Sequence, residues 1–247
     1  MTVKYDDREA IAHGKLRTSS LREKPGFPSW AMKLTMAITG IIFALFVLVH
    51  MVGNLKVYMG AESFNTYADF LREFGYPLLP HESFLWVARI VLLVSLILHV
   101  WCAFALTGRA HQSRGRYRRK GMVSSWNTFT ARSMIVTGIV LLLFIIFHIL
   151  DLTMGVQPVA PEAFVHGAVK ANMIATFSRW PVTIIYVIAM LCLFLHLTHG
   201  IRLAASDLGI TGAKWREVFV ILAYVVPAVV CLANIVMPLS VALGWVS

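Results

Sequence analysis

Five apolar stretches, at roughly 31–57, 84–108, 132–156, 180–205 and 217–244, dominate this chain of 247 residues. Each exceeds the ~20 residues a helix needs to cross the hydrocarbon core of a bilayer. In lipid, backbone polar groups must be satisfied within the segment itself, so such stretches fold as helices. With 58% of residues hydrophobic and 14% charged, no separate hydrophilic domain remains once they are counted. The expected fold is an all-α integral membrane protein. A single domain spans 1–247, with a polar N-terminal segment at 1–30 and five transmembrane helices, four of them forming a bundle.

The net charge of +10 reads as topology, not as a nucleic-acid footprint, because the basic residues fall on alternate connections. Lys4, Arg8, Lys15, Arg17, Arg22, Lys24 and Lys33 precede or open the first span. Arg109, Arg114, Arg116, Arg118, Arg119, Lys120 and Arg132 lie between the second and third, and Arg202, Lys214 and Arg216 between the fourth and fifth. The other connections hold only Lys56, Arg72, Arg89, Lys170 and Arg179, mixed with acids. The positive-inside rule puts the N-terminus in the cytoplasm and the C-terminus outside, in a multi-pass protein of the cytoplasmic membrane. Thirty polar residues ahead of the first apolar run argue against a cleavable signal peptide. On the outer side, Phe64, Tyr67, Phe70, Leu71 and Phe74 recur at helical spacing, which predicts a short amphipathic helix over 62–74 lying on the membrane surface. The 153–178 segment, with Pro158 and Pro161, reads as a second outer connection.

Of nine histidines, five lie within spans: His50, His99, His148, His196 and His199. Ionisable residues there are costly and mark functional sites by default. At 1.5 Å rise per residue, His50 stands ~26 Å above Lys33 and His148 ~24 Å above Arg132. His99 stands ~15 Å above Arg109, and His196 at least ~9 Å above Arg202, with His199 ~5 Å lower still. The depths sort four of them into an outer pair, His50 with His148, and an inner pair, His99 with His196, each drawn from two helices. Two neutral imidazoles facing each other at one height form the ligand set of a bis-imidazole haem. Two layers about 10–15 Å apart would pass electrons across the membrane.

Other chemistries fit less of this pattern. A proton relay or transporter usually adds intramembrane carboxylates, whereas Asp151, Asp207 and Glu217 all lie near span ends. Cys102 and Cys192 can share helix faces with His99 and His196, which suggests a zinc or Rieske-like site, but it leaves His50 and His148 unexplained. An internal echo is also visible. Thr39-Gly40 and Thr137-Gly138 each precede a histidine by ten residues after the glycine, and a small residue lets a backbone approach a flat cofactor or neighbour.

On these residues the chain resembles the five-span cytochrome b membrane-anchor subunit of succinate dehydrogenase / fumarate reductase, of the single-subunit two-haem kind. The resemblance covers essentially the whole chain. Its local matches are His50-Met51-Val52-Gly53-Asn54, His196-Leu197-Thr198-His199-Gly200 and the outer stretch Phe64-Asn65-Thr66-Tyr67-Ala68-Asp69-Phe70-Leu71-Arg72, and its N-terminal region is most similar to actinobacterial members. In the family a glycine follows the fourth-helix ligand by four residues, which selects His196 over His199. The resemblance implies two haem b groups, a menaquinone-type quinone, and flavoprotein and iron–sulfur partner subunits on the inner face. Electrons from succinate would reach the inner haem, the outer haem and the quinone, while this subunit would hold no flavin and oxidise no succinate itself. Some members carry a carboxylate two residues before the fourth-helix ligand; here that residue is Phe194, which argues against a proton path at that point. Anchors of hydrogenase or formate dehydrogenase type also use intramembrane histidines, usually on four helices, and a haem-free transporter or scaffold is the remaining alternative.

Haem propionates need cationic or hydrogen-bonding partners. The candidates are Trp30, Lys33, Arg109, Arg132 and Arg202 on the inner side, with Arg89 for the outer haem or the quinone. Tyr67, Arg72, Glu73 and Asp151 are further quinone candidates, with Glu73 the first choice as proton acceptor. The basic 109–120 loop suits docking of an iron–sulfur subunit by complementary charge.

Overall fold

The structure, a computed structural model, describes residues 26–114 and 125–246. Helix α1 (Ser29–Asn54) leads through a 3-10 turn (Leu55–Met59) into α2 (Ala61–Glu73). Then follow α3 (Ser83–Arg114), α4 (Ser125–His148), a π-helical turn (Ile149–Met154), α5 (Val169–Phe177), α6 (Trp180–Asp207) and α7 (Ala213–Ala242). Five of these are long and apolar enough to cross a membrane: Ser29–Met59, Ser83–Ser113, Phe129–Met154, Trp180–Asp207 and Ala213–Ala242. The chain is thus an all-helical, multi-pass membrane protein, with helix ends a few residues from the expected limits. Basic residues expected on the inner side at Lys4, Arg8, Lys15, Arg17, Arg22, Lys24, Arg116, Arg118, Arg119 and Lys120 lie outside the described residues, as does His13.

Local chemistry sets the ends of these helices. Pro28 is extended ahead of α1, and Pro181 sits in the first turn of α6, where its missing N–H breaks no helical bond. Pro227 and Pro238 lie inside α7, as transmembrane helices tolerate. The π turn ends at Gly155 in left-handed conformation (φ 67°), where a Cβ would meet the Phe164 ring at 2.2 Å. Only glycine fits there. Tryptophans mark both rims: Trp30 and Trp215 at one end and Trp86, Trp180 and Trp245 at the other are all exposed, as in an interfacial aromatic belt.

Helix α1 packs on α3 and α6, α4 packs on α6, and α7 backs α6. At the end the charge distribution assigns to the outside, α2 and α5 pack together as a cap. The expected amphipathic helix is α2; α5 was not expected, since its segment reads as a plain connection between Pro161 and Arg179. The largest buried cluster sits under this cap, built from Val57, Phe64, Met173, Phe177, Val182, Tyr186, Met237 and Val241. Gly53 of the His50-Met51-Val52-Gly53-Asn54 motif lets α2 close on α1. A Cβ there would lie 2.9 Å from the ring of Tyr67.

Candidate functional site

Between the four helices α1, α3, α4 and α6 lies a cavity of about 1470 Å³, lined by His50, His99, His148 and His196 among mainly apolar side chains. It exceeds the roughly 300–1,000 Å³ typical of a site for one small ligand. Helices α3 and α4 are the least buried of the five spans, and both contribute side chains to the cavity wall.

The four rings meet in two pairs. His50 and His148 have centroids 5.8 Å apart with an interplanar angle of 89°, and His99 and His196 are 6.4 Å apart at 53°. Two metal–imidazole bonds of about 2.0 Å, plus ~1.1 Å from nitrogen to ring centre on each side, require roughly 6.2 Å. The observed separations bracket that distance. The angle is unconstrained by such ligation, because each ring turns freely about its own metal–nitrogen axis. Thr39, beside His99, and His50 are both on α1, eleven residues apart, so the two layers stand ~16 Å apart along the helix.

The inner pair explains the echo between α1 and α4. The Thr39 hydroxyl donates to the Thr35 carbonyl at 2.7 Å and faces His99 Nδ1 at 2.9 Å. The Thr137 hydroxyl donates to the Ser133 carbonyl at 2.9 Å and faces His196 Nδ1 at 3.2 Å. With its proton committed to the helix, each threonine can only accept from the ring, and so Nδ1 carries the hydrogen. Nε2 is left with its lone pair free, the state a metal ligand needs. Gly40 and Gly138 complete the repeat, with a Cβ at either falling 3.5 Å from Cε1 of His99 or His196. The helix backbone thereby comes into contact range of the rings, and both glycines line the cavity.

The outer pair is built differently. His50 stacks on Phe46 and His148 on Phe144. His148 Nδ1 lies 3.1 Å from the Tyr186 hydroxyl, which donates to Asp151 Oδ2 at 3.2 Å. Asp151 is 0% exposed and pairs with Arg179 at 2.6 Å. Sequence reasoning named Asp151 but missed Tyr186 and Arg179. An acid one helical turn beyond an intramembrane histidine was the available signal, yet its partners lie 28 and 35 residues further on.

The remaining candidates divide by position. Lys33 and Arg132 line the cavity towards its inner end, and Arg72 and Arg89 towards its outer end. Arg72 is paired with Asp69 at 2.6 Å, and Arg89 with Glu82 at 3.4 Å. Trp30 is 69% exposed. Arg109 donates to Ser29 and to the Phe27 carbonyl, tying α3 to the start of α1. Arg202 donates to the Thr198 carbonyl and lies over the Tyr224 ring. Tyr67 rests on Gly53 with the Lys56 ammonium over its ring, outside the cavity lining, as is Glu73. His199, near the Thr130 hydroxyl at 3.4 Å, also lines the cavity, but among the described residues its ring is not paired with a second histidine as the other four are. Cys102, Cys192 and Cys231 are free thiols. Among the described residues no three His, Cys, Asp or Glu side chains converge as a metal site, so the mixed His/Cys arrangement is not formed.

The fold and the site together define a class: a helical, multi-pass membrane subunit whose bundle pairs imidazoles at two depths. Residues 109–236 match the family described as "Succinate dehydrogenase/Fumarate reductase transmembrane subunit". The match covers more than half of the chain, and the chain belongs to that family. It includes His148 and His196, while His50 and His99 lie before it. No characterised protein and no solved structure gives a match. Membership separates the chain from anchors of hydrogenase or formate dehydrogenase type and from transporters.

Proposed function

We propose that this transmembrane subunit is a di-haem cytochrome b that carries electrons between an iron–sulfur subunit and a menaquinone-type quinone. The observation that carries the reading is the pairing of four imidazoles at ligand-bridging separation in two layers. His50 and His148 would hold an outer haem b, and His99 and His196 an inner one. Bound there, the haems supply one-electron carriers at two depths.

The chain's own residues hold, orient and insulate those carriers. Thr39 and Thr137 fix the inner rings with the Nε2 lone pair free, and mainly apolar side chains surround them. Lys33 and Arg132 are the best-placed cations for inner propionates, since both line the cavity; Trp30, Arg109 and Arg202 support that end of the bundle. At the outer end Arg72 and Arg89 are placed to meet propionates or a quinone carbonyl, with Tyr67, Glu73 and Asp151 as neighbouring polar groups. The inner face, including the basic 109–120 loop, docks the iron–sulfur subunit, which in turn carries the flavoprotein. Phe194 stands where a carboxylate would serve a proton path, and so none is assigned there.

A reduced-minus-oxidised spectrum of the purified complex, with a haem-to-chain ratio, tests this. Two haem b per chain is the expected result. One per chain forces a single-haem scheme, and none overturns the proposal.

A further inference from the structure

Among the described residues, the outer pair carries a support that the inner one lacks, a carboxylate and its counter-charge behind a phenol. Asp151 Oδ1 accepts from Arg179 at 2.6 Å and from Thr176 at 3.3 Å. Arg179 is itself held by the Val159 carbonyl at 2.7 Å. That leaves Oδ2 to the Tyr186 hydroxyl. With its proton given to the carboxylate, the phenol oxygen can only accept from His148, so Nδ1 of that ring holds the hydrogen and Nε2 keeps its lone pair.

The Tyr186 ring is already gripped by Phe144 and Phe177, each edge-on within 5 Å of its centroid. A phenylalanine would fill the same space. Burying a tyrosine hydroxyl and a carboxylate here, beside a partly buried guanidinium, costs desolvation that packing alone would avoid. The carboxylate behind the phenol polarises its O–H, making the oxygen a stronger acceptor towards His148 than the threonine hydroxyls are towards His99 and His196.

We propose that Tyr186 is a positioning residue for the outer haem, fixing the tautomer and plane of His148 and strengthening it as a donor to ferric iron. The hydroxyl thereby holds the outer haem's midpoint potential below the value it has without that hydrogen bond. The inference rests on His50 and His148 being a ligand pair.

The test is a redox titration of the purified complex, with electron paramagnetic resonance of the oxidised haems to read the relative orientation of the axial rings. In Tyr186→Phe the outer midpoint rises by about a tenfold change in the ferrous/ferric ratio, ~59 mV for one electron. The outer resonance shifts with it, and the inner haem stays unchanged. Thr137→Val gives the reciprocal pattern, moving the inner haem alone. Asp151→Asn, which keeps the hydroxyl, moves the outer midpoint in the same direction by less. Should Tyr186→Phe fail to assemble, Asp151→Asn decides by the same upward shift. Two haems with unmoved outer midpoint and resonance overturn this inference and leave the ligand assignment standing. A wild-type complex without haem overturns both.

Discussion

The two imidazole pairs solve one problem with different materials. At the inner pair, neutral threonine hydroxyls one per ring, Thr39 and Thr137, orient His99 and His196 in near-equivalent surroundings. At the outer pair one ring, His148, is held by a buried charged chain of Tyr186, Asp151 and Arg179. Among the described residues no hydrogen bond reaches the His50 ring. Its neighbours are Phe46, stacked at 5.3 Å, and His148. The inner layer is a repeated device, carried by the same Thr-Gly step on α1 and α4. The outer layer is asymmetric and lies directly under the α2–α5 cap. A local repeat suffices to hold a ring at the inner pair, while at the outer pair the support of a ring is drawn from three separate elements of the chain.

Removing an axial ring is the most drastic way to break the comparison. His196→Ala abolishes the inner haem and leaves the outer one in place, as read from the haem-to-chain ratio. Next in size is Arg179→Ala, which leaves the buried Asp151 carboxylate without its counter-charge, with only Thr176 and Tyr186 as donors. It costs about 3 kcal/mol, the low end for a broken buried pair because Arg179 is partly exposed. A lowered thermal midpoint of the detergent-solubilised chain measures it, with the outer haem lost first on heating. Thr39→Val and Thr137→Val should each weaken inner haem retention by about 10–100-fold, and to similar extents, because their surroundings match. Unequal losses would show that the echo is less of a repeat than the hydrogen bonds suggest. The smallest stability effect belongs to Arg89→Gln. Its bond to Glu82 is 3.4 Å long between half-exposed groups, worth ~0–1 kcal/mol. A large fall in quinone reduction with unchanged stability would then assign Arg89 to the quinone or a propionate.

The sequence made the architecture legible where one physical variable dominated. Apolar length alone located the five spans, and helical spacing of aromatics located α2. Rise per residue sorted the histidines by height, and the rings of each height do lie together. The less legible parts depend on which side chains meet across helices. Thr39 and Thr137 were visible as half of a repeat, but their partners stand on α3 and α6, about 60 residues away. Tyr186 sits in the apolar run Ile184-Ile185-Tyr186-Val187, where nothing local separates a core ring from a hydrogen-bonding one. Helix α5 lies in a stretch with little contrast between its faces, so its form is dictated by packing against α2, α6 and α7.

The central claim is that the four rings work as two independent pairs, and it is tested most directly by haem content in matched single substitutions. The wild-type chain should hold two haem b, and His50→Ala and His99→Ala one each. The survivor in His50→Ala should keep the inner midpoint potential, and the survivor in His99→Ala the outer one. Loss of both haems from a chain that still folds and assembles, or retention of both, would contradict the pairing.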